Sequence, residues 1–286
     1  MKISVFTVCM PEYGLAETAT LLAKAGYDGV EWRVQRLDPA LASEPPSYWR
    51  HNQSTVNLDT IVEQAPAVRQ LAHSAGLEMP SLASYVPLSD YESAEQLMRA
   101  ARIMGVRMLR LAVPRYDRTR PYGQLYEEAR ADLEGVCRLA AAYEVKVLVE
   151  IHMGTIIPSA GLAHRLLDGL DPDLVGAIYD PGNMVCEGFE AWRMGLELLG
   201  PYLAHVHVKN YAWEPTEEDA QGTLHWAPHP APLARGMVDW GQVIQDLQAV
   251  GYGGYLSLED FDTTTSTEAK LRDDIAYLKR IGGGDS

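Results

Sequence analysis

The sequence predicts an α/β fold, the parallel eight-stranded (β/α)8 TIM barrel, and three observations carry that expectation. Short apolar runs alternate with helix-period segments eight times along the chain, and such alternation implies parallel strands joined by crossovers. Four of the later runs end in polar groups: Leu148-Val149-Glu150-Ile151-His152, Ala177-Ile178-Tyr179-Asp180, Leu203-Ala204-His205-Val206-His207 and Tyr255-Leu256-Ser257-Leu258-Glu259. In a parallel barrel all strand C-terminal ends lie on one face, so these groups can converge although they are roughly 30 to 50 residues apart in the chain. Finally, no G-x-G-x-x-G follows the first strand, which removes the best signature of an open doubly wound sheet.

The first strand, Ile3 to Val8, leads into a helix with Leu15, Thr18, Ala19, Leu22 and Ala23 at helical spacing, closed by Gly26. Tyr27 to Trp32 makes the second strand, and Glu31 and Arg33 fall where a ligand-facing loop begins. Gln35 to Thr55 carries Pro39, Pro45 and Pro46 among Tyr48, Trp49 and His51. That is too many breakers for an element and too many aromatics for a flexible linker, so it reads as a long loop walling the substrate site. A helix from about Leu58 to Ser74 and a strand from Glu78 to Ala83 follow, with a Ser84-Tyr85 loop. Next come a helix from Tyr91 to Met104, a strand from Val106 to Val113 and a long helix from Tyr122 to Tyr143, rich in good helix formers. The central strand is Val145 to Ile151, followed by a helix from Ala160 to Leu170, a strand from Val175 to Tyr179, a helix from Phe189 to Leu199 and a strand from Leu203 to Val208. Asn210 to Met237, with Pro215, Gly222, Pro228, Pro230, Pro232 and Gly236, reads as a loop. The helix from Trp240 to Val250, the strand from Gly254 to Leu258 and the helix from Leu271 to Ile281 complete the set, and Gly282 to Gly284 reads as a frayed tail. No composition break marks a linker, so residues 1–286 are expected to form one barrel domain.

Composition narrows the function. With 39 acidic and 24 basic residues the formal charge is −15, which argues against nucleic acid as a partner, because such binding neutralises phosphates with Lys and Arg. Cys9, Cys137 and Cys186 are odd in number and widely spaced, so neither a disulfide framework nor a thiolate zinc site is suggested. A basic leader and an apolar run near the ~20 residues of a bilayer crossing are both missing, so a cytoplasmic protein without a membrane partner is expected. A homo-oligomer is a base-rate expectation.

Three carboxylates and one imidazole, Glu150, Asp180, His207 and Glu259, form a hard, oxygen-rich set suited to one divalent metal: Mn²⁺, Mg²⁺ or Co²⁺, with Zn²⁺ open through the histidine. Buried carboxylates need a cation or an internal hydrogen-bond network. His205 lies two residues before His207 and points to the same side, as a core histidine or a partner of the ligands. His152 bears the same relation to Glu150 and is a candidate substrate contact. Lys209 either meets a substrate oxygen or forms a salt bridge to one of the carboxylates. Asp180-Pro181-Gly182-Asn183 makes a sharp turn that can bring Asn183 back over the site. Arg235 can seat a hydroxyl, carboxylate or phosphate, or simply tie its loop to the rim. Trp32, Trp49, Trp213 and Trp226 fall in or beside loops of the same face, placed to stack on a sugar ring or to pack.

These motifs resemble the xylose isomerase-like TIM barrel superfamily, in its sugar phosphate isomerase/epimerase branch. The resemblance rests on Val149 to His152, Tyr179 to Asn183, His205 to Asn210 and Gly251 to Glu259, and more weakly on Gly26 to Glu31. It implies one divalent metal on Glu150, Asp180, His207 and Glu259, with the two glutamates doubling as the acid/base pair. Substrate contacts are expected from His152, Asn183, Lys209, Arg235, Glu31 and Trp213. Ketose 3-epimerases similar to this chain carry His where it has Asn183 and Arg where it has Trp213, which points away from ketohexose 3-epimerisation. The expected activity is isomerisation or epimerisation of a small-molecule carbohydrate by proton abstraction next to a carbonyl, through an enediolate whose charge a metal offsets. Three alternatives stand beside it. One is a lyase or dehydratase acting on an oxidised sugar, another a metal-dependent phosphodiester hydrolase, and the last a sugar-binding module without turnover.

Overall fold

The structure, a computed structural model, describes residues 1–283. Its first strands are β1 (Lys2–Phe6), β2 (Gly29–Gln35), β3 (Thr55–Asn57), β4 (Leu82–Pro87) and β5 (Met108–Ala112). Then come β6 (Lys146–Glu150), β7 (Val175–Tyr179) and β8 (Leu203–Val208), a hairpin of β9 (Tyr211–Glu218) and β10 (Leu224–Pro230), and β11 (Tyr255–Leu258). The strand order β1-β11-β8-β7-β6-β5-β4-β2-β3 is parallel throughout, and pairing of β1 with β2 closes it into an eight-stranded barrel with β3 outside. The expected architecture holds.

Helices α1 (Leu15–Ala25), α2 (Ile61–Ser74), α3 (Tyr91–Met104), α4 (Tyr122–Tyr143) and α5 (Ala160–Leu167) are followed by a short α6 (Pro181–Cys186). The remaining three are α7 (Trp192–Leu199), α8 (Trp240–Ala249) and α9 (Thr267–Ile281). Their ends follow local chemistry. Asp90 caps α3 by accepting from the Ser93 amide, and Gly105 closes it with φ 79°, a left-handed conformation that favours glycine.

Departures from the expected boundaries have physical causes. β2 runs on to Gln35 because Glu31 and Arg33 face the barrel interior and find partners there, where isolated polar residues look like a loop. β4 begins at Leu82 and includes Ser84 and Tyr85, since Pro80 has no N–H for the ladder and Glu78 makes only one bridge, to Gly29. The stretch from Asn210 to Met237 contains the hairpin β9–β10, whose prolines are tolerated because each strand of a two-stranded ribbon is an edge. α6 replaces the expected turn after β7. Of the expected glycine tail, Gly284 lies outside the described residues. Among the described residues no helix is long and apolar enough to cross a membrane.

Candidate metal centre at the barrel mouth

Alternate residues of each strand face the barrel interior, so the polar strand ends stack in layers. In the lower layer Glu31 of β2 meets His205 of β8 and Ser257 of β11. Glu31 Oε2 accepts from Ser257 Oγ at 2.6 Å and lies 3.2 Å from His205 Nε2 and 3.1 Å from His207 Nε2. All four side chains are sealed from solvent. Burial alone would raise the Glu31 carboxyl, yet His205 and His207 hold it well below the usual carboxylate range. Phe6, ending β1, stacks on the His207 ring at 5.5 Å between centroids and fixes its plane.

One layer up, Glu150 ends β6, Asp180 follows β7, His207 lies in β8 and Glu259 follows β11. One ligand atom from each lies within 4.8 Å of the others. His207 Nδ1 stands 3.2 Å from Glu150 Oε1, 3.3 Å from Glu259 Oε1 and 4.0 Å from Asp180 Oδ2. Asp180 serves two purposes at once: Oδ1 caps α6 by accepting from the Asn183 amide at 2.9 Å, while Oδ2 accepts from Asn183 Nδ2 at 2.8 Å. Gly182 is required beside it, because a Cβ there would run into the Lys209 side chain.

Three further side chains hold the carboxylates. Arg110, on β5, forms an ion pair with Glu150 Oε2 and donates from Nε to the Ser84 carbonyl at 3.0 Å. Asn183 Nδ2 reaches Glu150 Oε1 at 3.2 Å. Lys209 Nζ stands 2.6 Å from Asp180 Oδ2, pairs with Glu259 and lies 3.9 Å from Glu150 Oε1. Burial opposes ionisation of Glu150, but Arg110 and His207 hold its pKa well down. Glu259 behaves alike: burial opposes, and Lys209 and His207 bring it to about 2. Burial pushes Asp180 well above the ordinary aspartate range; Lys209 resists this, and the charges of Glu259 and Glu150 add to it. His207 is also pulled up, since the charges of Glu31, Glu259 and Glu150 outweigh its burial.

These residues fit a divalent cation. Four carboxylates, Glu31, Glu150, Asp180 and Glu259, meet here with two permanent cations, Arg110 and Lys209, so the cluster has more acidic groups than cations to match them. If Glu31 accepts the proton of Nε2, the lone pair of His207 Nδ1 faces the same point as Glu150 Oε1 and Glu259 Oε1. That arrangement, an imidazole oriented by a carboxylate behind it, is one that metal ligands use.

Above the cluster opens a cleft of about 980 Å³. Glu150, His152, Asn183, Lys209 and Glu259 line one side, Arg33, Tyr85 and Arg110 the other, and Trp49 and Trp213 stand at its edge. The profile described as a xylose isomerase-like TIM barrel matches residues 19–281. The chain belongs to that family. It is 29% identical over 144 residues to an inosose dehydratase of Clostridium perfringens, a match covering 46% of this chain and 47% of that relative. The chain thus spans about half the length of the curated relatives it matches. Its fold is similar to a 3-keto-D-glucoside 4-epimerase from E. coli, with a TM-score of 0.73, 16% identity and coverage of 98% and 99% of the two chains. A solved IOLI protein with a bound zinc atom matches with a TM-score of 0.73 and 16% identity over 99% and 98%.

In this xylose isomerase-like barrel the expected quartet of Glu150, Asp180, His207 and Glu259 comes together. His152, Asn183, Lys209 and Trp213 reach the cleft, and Trp213 is held by its Nε1 donating to the Val185 carbonyl at 2.7 Å. Lys209 makes the salt bridges that were its alternative reading. Glu31 corrects the expectation of a substrate contact, because it is fully buried beneath His207 and outside the cleft lining. Arg235 is corrected as well. It is exposed on a loop that Asn210 pins to the barrel by bonds to Leu233, Tyr211 and Val238, and it does not line the cleft. Trp32 is buried within β2, and Trp226 lies exposed on β10 outside the lining. Arg110 was missed. A lone arginine in an apolar strand carries no motif, and only the register of β5 beside β6 puts it against Glu150.

Proposed function

We propose that this chain is a divalent-metal-dependent enzyme that removes a proton next to the carbonyl of a sugar or sugar derivative. The observation that supports this reading best is the convergence of Glu150, Asp180, His207 and Glu259 at the floor of an open cleft. These four residues would hold the cation; the IOLI protein carries zinc by its description. When bound there, a divalent cation polarises a carbonyl oxygen and offsets the charge that develops on it.

The two glutamates differ in a way that favours one role for each. Both Glu150 oxygens are engaged, by Arg110 on one side and by Asn183 and His207 on the other. Among the described residues Glu259 Oε2 takes no hydrogen bond, and Glu259 lines the cleft. Glu259 is therefore the base that takes the α-proton. The C–H electrons form a carbon–carbon double bond as a hydroxyl on the next carbon leaves as water, taking its proton from Lys209. The carboxyl of Glu259, bonded to Lys209, returns that proton. Dehydration is favoured because Glu150, held ionised by Arg110, is a poor acid for the opposite face, and because relatives matching half the chain are dehydratases by name. A second reading keeps the first step and ends in epimerisation or isomerisation. It draws on Glu150 Oε1 and Glu259 Oε1 standing at nearly equal distances, 3.2 and 3.3 Å, from one His207 nitrogen. Hydrolysis at several metals draws no support from the other donor group, Glu31, His205 and His207, which shares His207 and is fully buried.

The test is incubation of Mn²⁺-, Mg²⁺-, Co²⁺- or Zn²⁺-loaded protein in D₂O with a panel of ketoses, aldoses, keto-cyclitols and oxidised sugars. Deuterium at the α-carbon is expected, with a product lighter by one water for dehydration and of unchanged formula for epimerisation. No metal-dependent exchange on any member of the panel would sink the proposal.

A further inference from the structure

The cleft is divided by charge. Of its lining carboxylates, Glu150 ends β6, Glu259 follows β11 and Glu187 follows α6, while the guanidiniums are the buried Arg33 from β2 and Arg110 from β5 and the exposed Arg115 beyond β5. Arg110 and Lys209 are both paired with carboxylates. Arg33 is not. It is 2% exposed, and its described acceptors are the neutral oxygens of Thr55 and Gln35. A guanidinium has five N–H groups, and among the described residues Arg33 Nε has no acceptor at all. Lys270, also buried and outside any ion pair, differs because it donates to Tyr48 and to the carbonyls of Asp260 and Asp262. Burial pulls the Arg33 pKa below its ordinary value. Beside it, Tyr85 has a guanidinium 5.4 Å from its ring on the Arg33 side and 4.5 Å on the Arg110 side, and its hydroxyl also lacks a partner.

A buried charge ordinarily has a counter-charge, and the open side of Arg33 is the cleft. From this we infer that Arg33 anchors a carboxylate of the substrate, with Tyr85 as a further donor, so that the substrate class is a polyhydroxylated keto acid and not a neutral sugar. The planar fork of arginine matches a carboxylate through two parallel N–H bonds. A single negative charge fits the buried part of the cleft, because Arg110 is already matched by Glu150 and Arg115 is exposed, where water solvates its charge; a phosphate would bring nearly two beside the acidic half of the cleft. The inference rests on the proposed reading of the site, and it fixes the direction of the substrate: carbonyl end at Glu259, acid end at Arg33.

Calorimetric titration of the Mn²⁺-loaded full chain tests it with matched pairs: 2-keto-D-gluconate against D-fructose, D-glucuronate against D-glucose, and D-fructose 6-phosphate against D-fructose. In at least one acid pair the carboxylate is expected to bind about tenfold tighter or more. Arg33→Met should bring that ratio to within about twofold while folding at least as stably as wild type, since replacing an unpaired buried charge by an apolar group of similar volume is neutral or stabilising. Should Arg33→Met not fold, Arg33→Lys serves, with the charge kept, the fork lost and the ratio reduced. The inference is overturned if no acid binds more tightly than its alcohol, if the preference survives the loss of the guanidinium, or if only the phosphate shows an Arg33-dependent preference. An Arg33-dependent acid preference without α-proton exchange would keep the subsite and reject the chemistry. Exchange on neutral sugars with equal affinities would do the reverse.

Discussion

Glu259 and Asp260 are neighbours in the chain and face opposite ways, and each belongs to a buried acidic cluster. Glu259 points into the barrel, where Glu150, Asp180, His207 and Lys209 surround it. Asp260 points outward to Asp274 of α9, with Lys270 nearby donating to the backbone carbonyls of Asp260 and Asp262. The inner glutamates keep their charge: Lys209 and His207 overcome burial and hold Glu259 at about 2. The outer pair loses one, because burial and the charge of Asp260 push Asp274 up to about 8. Acidic residues under a surface are therefore not by themselves a site. What separates the two clusters is the ring of converging donors, the cations placed among them and a cleft through which a ligand can reach them.

The largest test of that contrast is a pair of isosteric changes. Glu259→Gln is expected to cut turnover and α-proton exchange by about a thousandfold or more, as loss of a general base does, with the circular dichroism spectrum unchanged. Asp274→Asn should leave turnover where it was. Equal losses in both variants, or full exchange in Glu259→Gln, would erase the distinction between the clusters.

A second change strikes the inner cluster from below. Removing one member of a buried ion pair strands the other, at a cost of about 3–5 kcal/mol. Arg110→Met should therefore destabilise the metal-free protein by that amount in urea unfolding. Divalent metal should restore part of the loss, since a cation on Glu150 replaces some of the missing charge. A variant as stable as wild type would mean that Glu150 does not depend on Arg110.

Much of this was legible in the sequence, and what was not shares a cause. The barrel follows from strand–helix alternation, and the quartet from four apolar runs that end in acids or imidazole, because strand ends of a parallel barrel must share a face. The hairpin β9–β10 was hidden: it is exposed on both faces, so Tyr211 to Glu218 shows no apolar alternation. Glu31 and Arg33 looked alike, two polar residues at a strand end, yet one lies under His207 and the other on the cleft wall. Their spacing of two puts both inside the barrel, and only the layer decides which meets a ligand. Arg235 has the chemistry of a substrate anchor without the position.

Asp274 gives the outer cluster a signature in pH. Its carboxyl titrates near 8 in the folded chain and near ~3.9 when unfolded, so between those values the native state keeps a proton that the unfolded state has lost. Stability then falls as pH rises, from its full value below pH ~4 to a plateau above pH ~8. Asp274→Asn should flatten this decline. A wild-type profile already flat across that window would show that the two aspartates do not share a buried proton.

The smallest effect probes the cation that the inner cluster already has. Lys209 contacts Asp180 Oδ2 and Glu259 Oε1, carboxylate oxygens of the donor group itself. An ammonium there compensates the carboxylates, and a divalent ion must share them with it. Lys209→Met removes the competitor and leaves more negative charge unmatched, so Mn²⁺ affinity should rise by about tenfold, equivalent to roughly 1.4 kcal/mol. Turnover should fall nonetheless, because the proposed proton donor is gone. Those opposite signs are what distinguish a lysine that works beside the metal from one that merely fills its place. If affinity and turnover fell together, Lys209 would be a support for the metal ligands; if both rose, it would be only a stand-in cation.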